Sequence, residues 1–590
     1  MNAAQEKPLV IETGHAENGE IAHVHGAAII TPLPHHLEMR REQMFPQLTP
    51  AEIDRLRRFG KVKNYRAGAV LFEAGRIGPG MFVVLQGCVS ITRKNALSAD
   101  APIVEHGPGH FVAEVGQLSG KPSLVDGSAL VDVEALVIAS ASLRALVIAE
   151  AELGERIMRA LILRRVGLIE TGGGGPVLVG APDGADMLRL QSFLARNGHP
   201  HTVMDPAHEH AADEVMKLHA PRPEQLPLVV LPDGTVLKCP TEQVLARHLG
   251  MYPELRADRT YDVAVVGAGP AGLATAVYAA SEGLSVIVLD TRVIGGQAGA
   301  SSRIENYLGF PTGISGQALA GRAFVQAQKF GADVAVPLAV TQLDCSASPR
   351  VLSVDCGSRI SARTVVIASG ARYRRPAIDA LAQYEGRGVY YWASPIEARL
   401  CREEEVALVG GGNSAGQAIV FLASHAAHVH VLIRGNDLGK KMSQYLVERI
   451  GSLPNVTVHK ESEIYAIEGG ADGVSGVRWR HRHTGDEMNK AIRRLFLFVG
   501  ADPNTQWLEG CGVRVNDKGF VCTGSDLLPS DDAQTPAANR HPPLALETSI
   551  SGVFAIGDVR ASSTKRVAAA VGEGAAVVAQ VHAWLAENRA

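Results

Sequence analysis

The run Tyr261-Asp-Val-Ala-Val-Val266-Gly267-Ala-Gly269-Pro-Ala-Gly272 decides the fold of the C-terminal half. A short β-branched strand closes on three glycines at G-x-G-x-x-G spacing and opens into an alanine-rich helical stretch from Leu273. The pattern carries weight only in that strand–turn–helix context. The first glycine permits a tight turn, and the second lets a pyrophosphate approach the backbone. The third lets helix and strand pack closely, so that the helix N-terminus faces the phosphates. The same grammar recurs where Val406-Ala-Leu-Val409 leads into Gly410-Gly-Gly412-Asn-Ser414-Ala415, with alanine in the third place. Two such units imply two nucleotides, and two nucleotides in one chain imply electron transfer between them.

The end of the following strand separates the two sites. Ser285-Val-Ile-Val-Leu289 ends in Asp290, placed to accept hydrogen bonds from a ribose 2′-hydroxyl. Val429-His-Val-Leu-Ile433 ends in Arg434, and charge-assisted guanidinium–phosphate bonds suit a 2′-phosphate. The first site therefore reads as FAD or NAD and the second as NADPH.

Further landmarks follow in order: Gly295-Gly296-Gln297, Glu305-Asn306-Tyr307, Ala368-Ser-Gly-Ala371, Val499-Gly-Ala-Asp-Pro-Asn-Thr505 and Gly552-Val-Phe-Ala-Ile-Gly557-Asp558. With the two fingerprints, they make the chain from about residue 260 resemble the low-molecular-weight thioredoxin reductases. The resemblance implies two Rossmann-like α/β domains in an interrupted order. An FAD-binding domain would be built from 258–387 and 497–590, with an NADPH-binding domain, 388–496, inserted between the two parts. It implies FAD and NADPH as cofactors. Gly296, Gln297 and Asn306 would then lie near the flavin and Gly557-Asp558 at the ribityl chain. Arg566 and Val567 would open a terminal helix under the flavin ring. A homodimer is expected.

That family passes electrons from flavin to a Cys-x-x-Cys just ahead of the NADPH fingerprint. Here the segment reads Gly388-Val-Tyr-Tyr-Trp392-Ala-Ser-Pro-Ile-Glu397-Ala-Arg-Leu-Cys401, without a cysteine pair. The seven cysteines (Cys88, Cys239, Cys345, Cys356, Cys401, Cys511 and Cys522) are never closer than eleven positions. A disulfide needs Cα atoms roughly 4.4–6.8 Å apart, so only long-range pairing in the fold remains open. Cys401 is the one catalytic candidate near the lost site; its alternative is a small packed apolar side chain. Tyr390, Tyr391 and Trp392 read as core packing or as a cover over the flavin. Relatives carry a His-Arg-Arg cluster where this chain has Ile433-Arg434-Gly435; Lys440 and Lys441 read either as a supplement to that charge or as solvated side chains.

A chain of 590 residues is too long for one core and implies about three to five domains. A formal charge of −4 gives no electrostatic case for nucleic acid. No apolar run of about 18 residues or more is found, so no membrane span is expected. Sparse cysteines and the lack of a basic-then-apolar leader suit a reducing cytoplasm. Residues 1–45 read as a flexible arm; its pairs His23/His25 and His35/His36 lack ligand partners at metal-site spacing, so no metal is expected.

Residues 46–170 carry short glycine-punctuated strands, as in a small β-roll. Pro108-Gly-His-Phe-Val-Ala-Glu114 and Leu118-Ser-Gly-Lys-Pro-Ser123 resemble the phosphate-binding cassette of cyclic-nucleotide-binding domains. Ala113 stands for the cassette's glycine, and Ser123 or Leu124 for its phosphate-clamping arginine. The helical run Leu143–Leu168 would close the domain. Residues 175–252 show a compact α/β pattern: a strand at Val177-Leu-Val179, a helix near Asp186–Asn197, a strand pair at Leu228–Leu231 and Gly234–Leu237, and a helix from Thr241. This resembles a thioredoxin or glutaredoxin fold, with Pro227 at the cis-proline position. The active-site turn, Ala181-Pro-Asp-Gly-Ala185, has no cysteine, so the module is a docking or structural unit. The expected function is an FAD-dependent NADPH oxidoreductase, thioredoxin-disulfide-reductase-like, with an unidentified protein or small-molecule acceptor. The alternatives are a ferredoxin- or flavodoxin–NADP-reductase-like enzyme and a non-catalytic redox or nucleotide sensor.

Overall fold

The computed structural model describes residues 28–29, 32–93, 101–113, 115–172, 174–253, 255–256, 258–470, 472–527 and 543–588. The β-roll is a five-stranded and a four-stranded antiparallel sheet facing each other. Met81–Gln86 and Val133–Ile138 supply its centre because nearly every residue in both strands is buried. The helical run expected over Leu143–Leu168 is two helices, Ser140–Ala149 and Ala151–Glu170. The second folds back tightly on the first: a Cβ at Gly154 would lie 2.6 Å from the carbonyl of Val147. Glu150 at the corner pairs with Arg55 and Arg58.

The expected flexible arm 1–45 needs correction in its second part. Ala28–Ile29 pairs with the strand Ala101–His106, and helical turns at His35–Glu38 and Arg41–Met44 bury Leu37 and Met44 against Leu163. Each turn buries a single apolar residue, a signal that a polar composition hides. His23 and His25 lie outside the described residues, and His36 pairs with Glu170.

The next module has a four-stranded sheet in the order Thr202–Met204, Val177–Val179, Leu228–Val230, Val236–Lys238, the first pair parallel and the others antiparallel. Leu226–Pro227 is cis, as the resemblance implied. The strand Thr202–Met204 and the helix His210–His219 were not expected from the sequence.

The flavin-type domain is built on one sheet. Asp333–Ala335, Val286–Leu289, Thr260–Val266 and Arg359–Ile367 run parallel. Val553–Ala555 returns from the far end of the chain to pair with the upper half of Arg359–Ile367, and an antiparallel hairpin, Val340–Asp344 and Arg350–Val354, pairs with its lower half. Between these parts sits a parallel five-stranded sheet ordered Val389–Tyr390, Arg494–Leu497, Glu405–Val409, His428–Leu432, Val456–His459. The two crossings between the domains pair with each other as an antiparallel ribbon, Ala371–Tyr373 against Ala501–Pro503.

Among the described residues one helix, Val567–Glu587, is long and apolar enough by length and composition to cross a membrane, where the sequence pattern suggested no such stretch. Its polar interior residues are Glu573, paired with Arg560, Gln580, which accepts from Leu546 N–H, and His582, whose Nε2 lies 2.9 Å from a Glu282 carboxylate oxygen. Its apolar residues seat it on Pro270–Ser281, where a Cβ at Gly574 would lie 2.4 Å from the Ala271 carbonyl.

Candidate nucleotide and redox site

Each fingerprint glycine meets the steric demand its position implies. Gly267 has φ +118°, and a Cβ there would lie 2.1 Å from the Ala368 carbonyl. A Cβ at Gly272 would lie 1.9 Å from the Gly267 carbonyl, so the helix Pro270–Ser281 rests directly on the turn. Gly269 has nothing within 4 Å, which leaves room for a pyrophosphate. In the second unit, a Cβ at Gly410 would lie 2.6 Å from the Phe498 carbonyl, while Gly412 has nothing within 4 Å. Ala415 is buried and Ser414 exposed at the start of the helix Asn413–Ala423. Both cradles therefore fit a dinucleotide.

Gly295, Gly296 and Gly557 meet the first cradle at Ala268, Gly269 and Ala271. Gly295 N–H donates to the Ala268 carbonyl at 2.7 Å, and Gly296 lies against Gly269. Gln297 donates its side-chain amide to the Ala371 carbonyl. Gly557, with φ +69°, donates its N–H to Glu573 at 2.6 Å. Burial raises the pKa of Asp558, against the opposing charge of Lys565 and with the added push of Glu573. Arg566 is the N-cap residue of the terminal helix, which begins at Val567. Asn306 is exposed on a neighbouring loop. Asp290 ties its loop together: its Oδ2 accepts from Ala268 N–H at 2.8 Å and its Oδ1 from Arg292 and Val293 N–H at 3.0 and 3.3 Å. Burial raises its pKa while these three amides work the other way. At the second cradle Arg434 is exposed just past His428–Leu432, and Arg482, unforeseen in the sequence, donates to its carbonyl at 3.5 Å.

The segment where a dithiol would stand is an N-cap. Ser394 caps the helix Pro395–Leu400 in a reciprocal box with Glu397, an arrangement that satisfies two otherwise orphaned amides. Glu397 Oε1 also accepts from Trp392 Nε1 at 3.0 Å. Tyr390 packs into the core against Phe496, and Tyr391 stacks on Tyr373. Cys401 is fully buried and donates to the Glu397 carbonyl at 3.2 Å; burial pushes its pKa up to about 12. A thiol so rarely ionised at neutral pH makes a poor nucleophile. All seven cysteines are free, so the long-range disulfide left open by sequence is not formed. Cys345 and Cys511, distant in sequence, are neighbours, and their interaction raises the pKa of Cys345 and lowers that of Cys511. They line a cleft beside Val340–Asp344, at the hairpin that pairs with the lower half of Arg359–Ile367.

The largest residue missed in sequence is Arg196, at the end of the helix Ala185–Arg196 in the thioredoxin-like module. Its Nη2 donates to the Gly296 carbonyl at 2.7 Å, and its guanidinium lies 6.0 Å from the Trp392 ring centroid. Asn197 beside it bonds Ile294 N–H and the Arg292 carbonyl, and Gln317 donates to the Ala195 carbonyl at 2.6 Å. The module thus docks on the loop that borders the first cradle.

Residues 261–574 match the family model described as "Pyridine nucleotide-disulphide oxidoreductase", and residues 62–150 the model "Cyclic nucleotide-binding domain". Among curated relatives, an alkyl hydroperoxide reductase component of Escherichia coli strain K12 is 32% identical over 55% of this chain and 58% of its own length. NADPH-dependent thioredoxin reductase 3 of Arabidopsis thaliana is 29% identical over 55% and 59%. The chain thus spans under three fifths of the length of these two relatives. A Bacillus subtilis strain 168 protein described as NADH dehydrogenase is 30% identical over 69% of this chain and 74% of its own length. Among solved structures, Lactococcus lactis thioredoxin reductase aligns with a TM-score of 0.49 and 26% identity, over 56% of this chain and all of its own.

Proposed function

The chain belongs to the pyridine nucleotide-disulphide oxidoreductase family and carries a cyclic-nucleotide-binding domain in front, and from that premise we propose that it is an NADPH-oxidising flavoenzyme whose electrons leave to an acceptor outside the chain. Thioredoxin-reductase-like enzymes of this family use FAD and NADPH. One observation carries the reading: two cradles of equal quality stand beside a position where Ser394 and Glu397 build a helix cap instead of a dithiol.

Gly267, Gly269 and Gly272, with Asp290, would hold FAD at its pyrophosphate and ribose. Gly296, Gln297, Gly557, Asp558, Arg566 and Val567 would line its flavin half, with Asn306 on the neighbouring loop. Gly410, Gly412, Ser414 and Ala415 would hold the pyrophosphate of NADPH, and Arg434 its 2′-phosphate. Bound FAD supplies the hydride-accepting chemistry between nicotinamide and acceptor. The protein's own part is to orient the two nucleotides and to keep Cys401 out of reaction. With no thiol relay beside the cradle, the acceptor is a partner's own disulfide, a one-electron iron–sulfur or flavin protein, or a quinone-like molecule. The lost dithiol favours the ferredoxin–NADP-reductase-like variant of this reading.

An anaerobic titration with NADPH followed by a panel of these acceptors tests it. Bleaching by NADPH and turnover with any one class supports the enzyme. A flavin-loaded chain that NADPH cannot reduce would leave a sensor as the surviving function.

A further inference from the structure

Inside the β-roll lies a cavity of about 70 Å³, several times the ~10–15 Å³ that one water needs. Phe72, Ile91 and Val112 give it apolar walls, and Arg164, His106 and Gln117 are among its lining residues. All three polar residues are deeply buried: Arg164 is 7% exposed, His106 2% and Gln117 4%.

Arg164 is the anomaly. Its Nε donates to the Met44 carbonyl at 2.9 Å, and Nη1 donates to the carbonyls of Phe111 and Ala113 at 2.9 and 3.1 Å. Its guanidinium carbon sits 4.5 Å from the Phe111 ring centroid and 5.2 Å from that of Phe45. Nη2 has no partner, and among the described residues no carboxylate pairs with this side chain. Burial pulls the guanidinium down to about 9, so it stays charged at neutral pH. A buried cation without a counter-charge is costly to a fold. His106 Nδ1 and Gln117 Oε1 are also unpartnered. Burial, with Arg164 beside it, holds His106 well below its ordinary value, so it is neutral.

The cassette itself offers no clamp for a nucleotide. Ser123 stands in the arginine position and donates to the Val125 carbonyl at 2.8 Å. Lys121 donates to the Met251 carbonyl at 2.6 Å. Glu114 lies outside the described residues. Among the described residues, the only cation lining the cavity comes instead from the closing helix, Ala151–Glu170.

We propose that the β-roll binds a compact organic monocarboxylate, its carboxylate on Arg164 Nη2 and the Nδ1–H tautomer of His106, its apolar body against Phe72, Ile91 and Val112. One guanidinium matches one negative charge; a phosphate dianion would leave a second charge buried without a partner.

The experiment is calorimetry on the full chain with sodium butyrate and benzoate, alongside inorganic phosphate and cAMP. At least one carboxylate is expected to bind more tightly than phosphate or cAMP. Arg164→Met should weaken it by at least about tenfold, as loss of a charged hydrogen bond does. Arg164 also ties three carbonyls, so that variant can fail to fold; Ile91→Phe keeps the charge and fills the cavity, and should weaken the same binding. No carboxylate binding to the wild-type chain, binding that survives Ile91→Phe unchanged, or tighter binding of phosphate or cAMP would each overturn the proposal.

Discussion

The two nucleotide cradles are built alike up to the end of the second strand, and there they part. At the first, Asp290 is half-buried and accepts from three backbone amides, so the residue that would read a ribose also holds the loop together. At the second, Arg434 stands exposed past the strand end, and its carbonyl accepts from Arg482. The first proposed specificity residue is part of the architecture; the second is a replaceable charge on a finished scaffold. Flavin selection should therefore resist change, while pyridine-nucleotide selection should be easily tuned.

The largest effect should come from the turn beneath the first cradle. Gly272→Ala puts a Cβ 1.9 Å from the Gly267 carbonyl and should leave no folded, flavin-binding protein, whereas Gly269→Ala has open space and should fold with weakened FAD retention. Thermal melts with flavin absorbance check the pair, and equal behaviour of the two variants would break the steric account. Next comes Asp290→Ala. Three amides lose their acceptor; the Arg292 N–H can turn to water, but those of Ala268 and Val293 are partly buried, and a buried N–H so stranded costs about 1–3 kcal/mol. Flavin content and melting temperature should fall together, and loss of flavin with an unchanged melt would return Asp290 to a purely ligand-reading role.

Arg434→Ala should leave the melt unchanged and weaken NADPH by roughly ten- to hundredfold, with NADH nearly unaffected. Equal losses for the two nucleotides in steady-state kinetics would show that Arg434 does not read the 2′-phosphate. The smallest effect belongs to Cys401→Ser, expected to keep NADPH oxidation within about threefold, a barrier change under roughly 1 kcal/mol. The titration should consume one equivalent of NADPH per flavin. Uptake of a second equivalent that disappears in Cys345→Ser would reveal the distant Cys345–Cys511 pair as a relay.

The cradles were legible because their demands are local: six residues specify a turn, an approach and a packing contact, and the geometry at Gly267, Gly269 and Gly272 follows. The lost dithiol was legible for the same reason. Ser394 and Glu397, three apart, are also a local signature, but one that the missing sulfur overshadows. What sequence did not disclose is what closes through space. Arg196 meets Gly296 a hundred positions away, and Cys345 meets Cys511 across an even longer interval. Thr202–Met204 is too short and too half-buried to show a strand period. The helical turns at 35–44 have only Leu37 and Met44 to announce a buried face.

The docking of the thioredoxin-like module bears on where this chain can be cut. Val293, one residue before the loop Ile294–Gln297, belongs to the apolar core of that module together with Leu178, Phe193 and Leu245. A truncated reductase starting at residue 258 would carry Val293 bare to water and would lose the outside grip of Arg196 and Asn197 on the flavin-side loop. The front of the molecule is therefore no detachable accessory. It serves as one wall of the reductase, and sequence drift on the helix Ala185–Arg196 would be answerable to the flavin loop it holds.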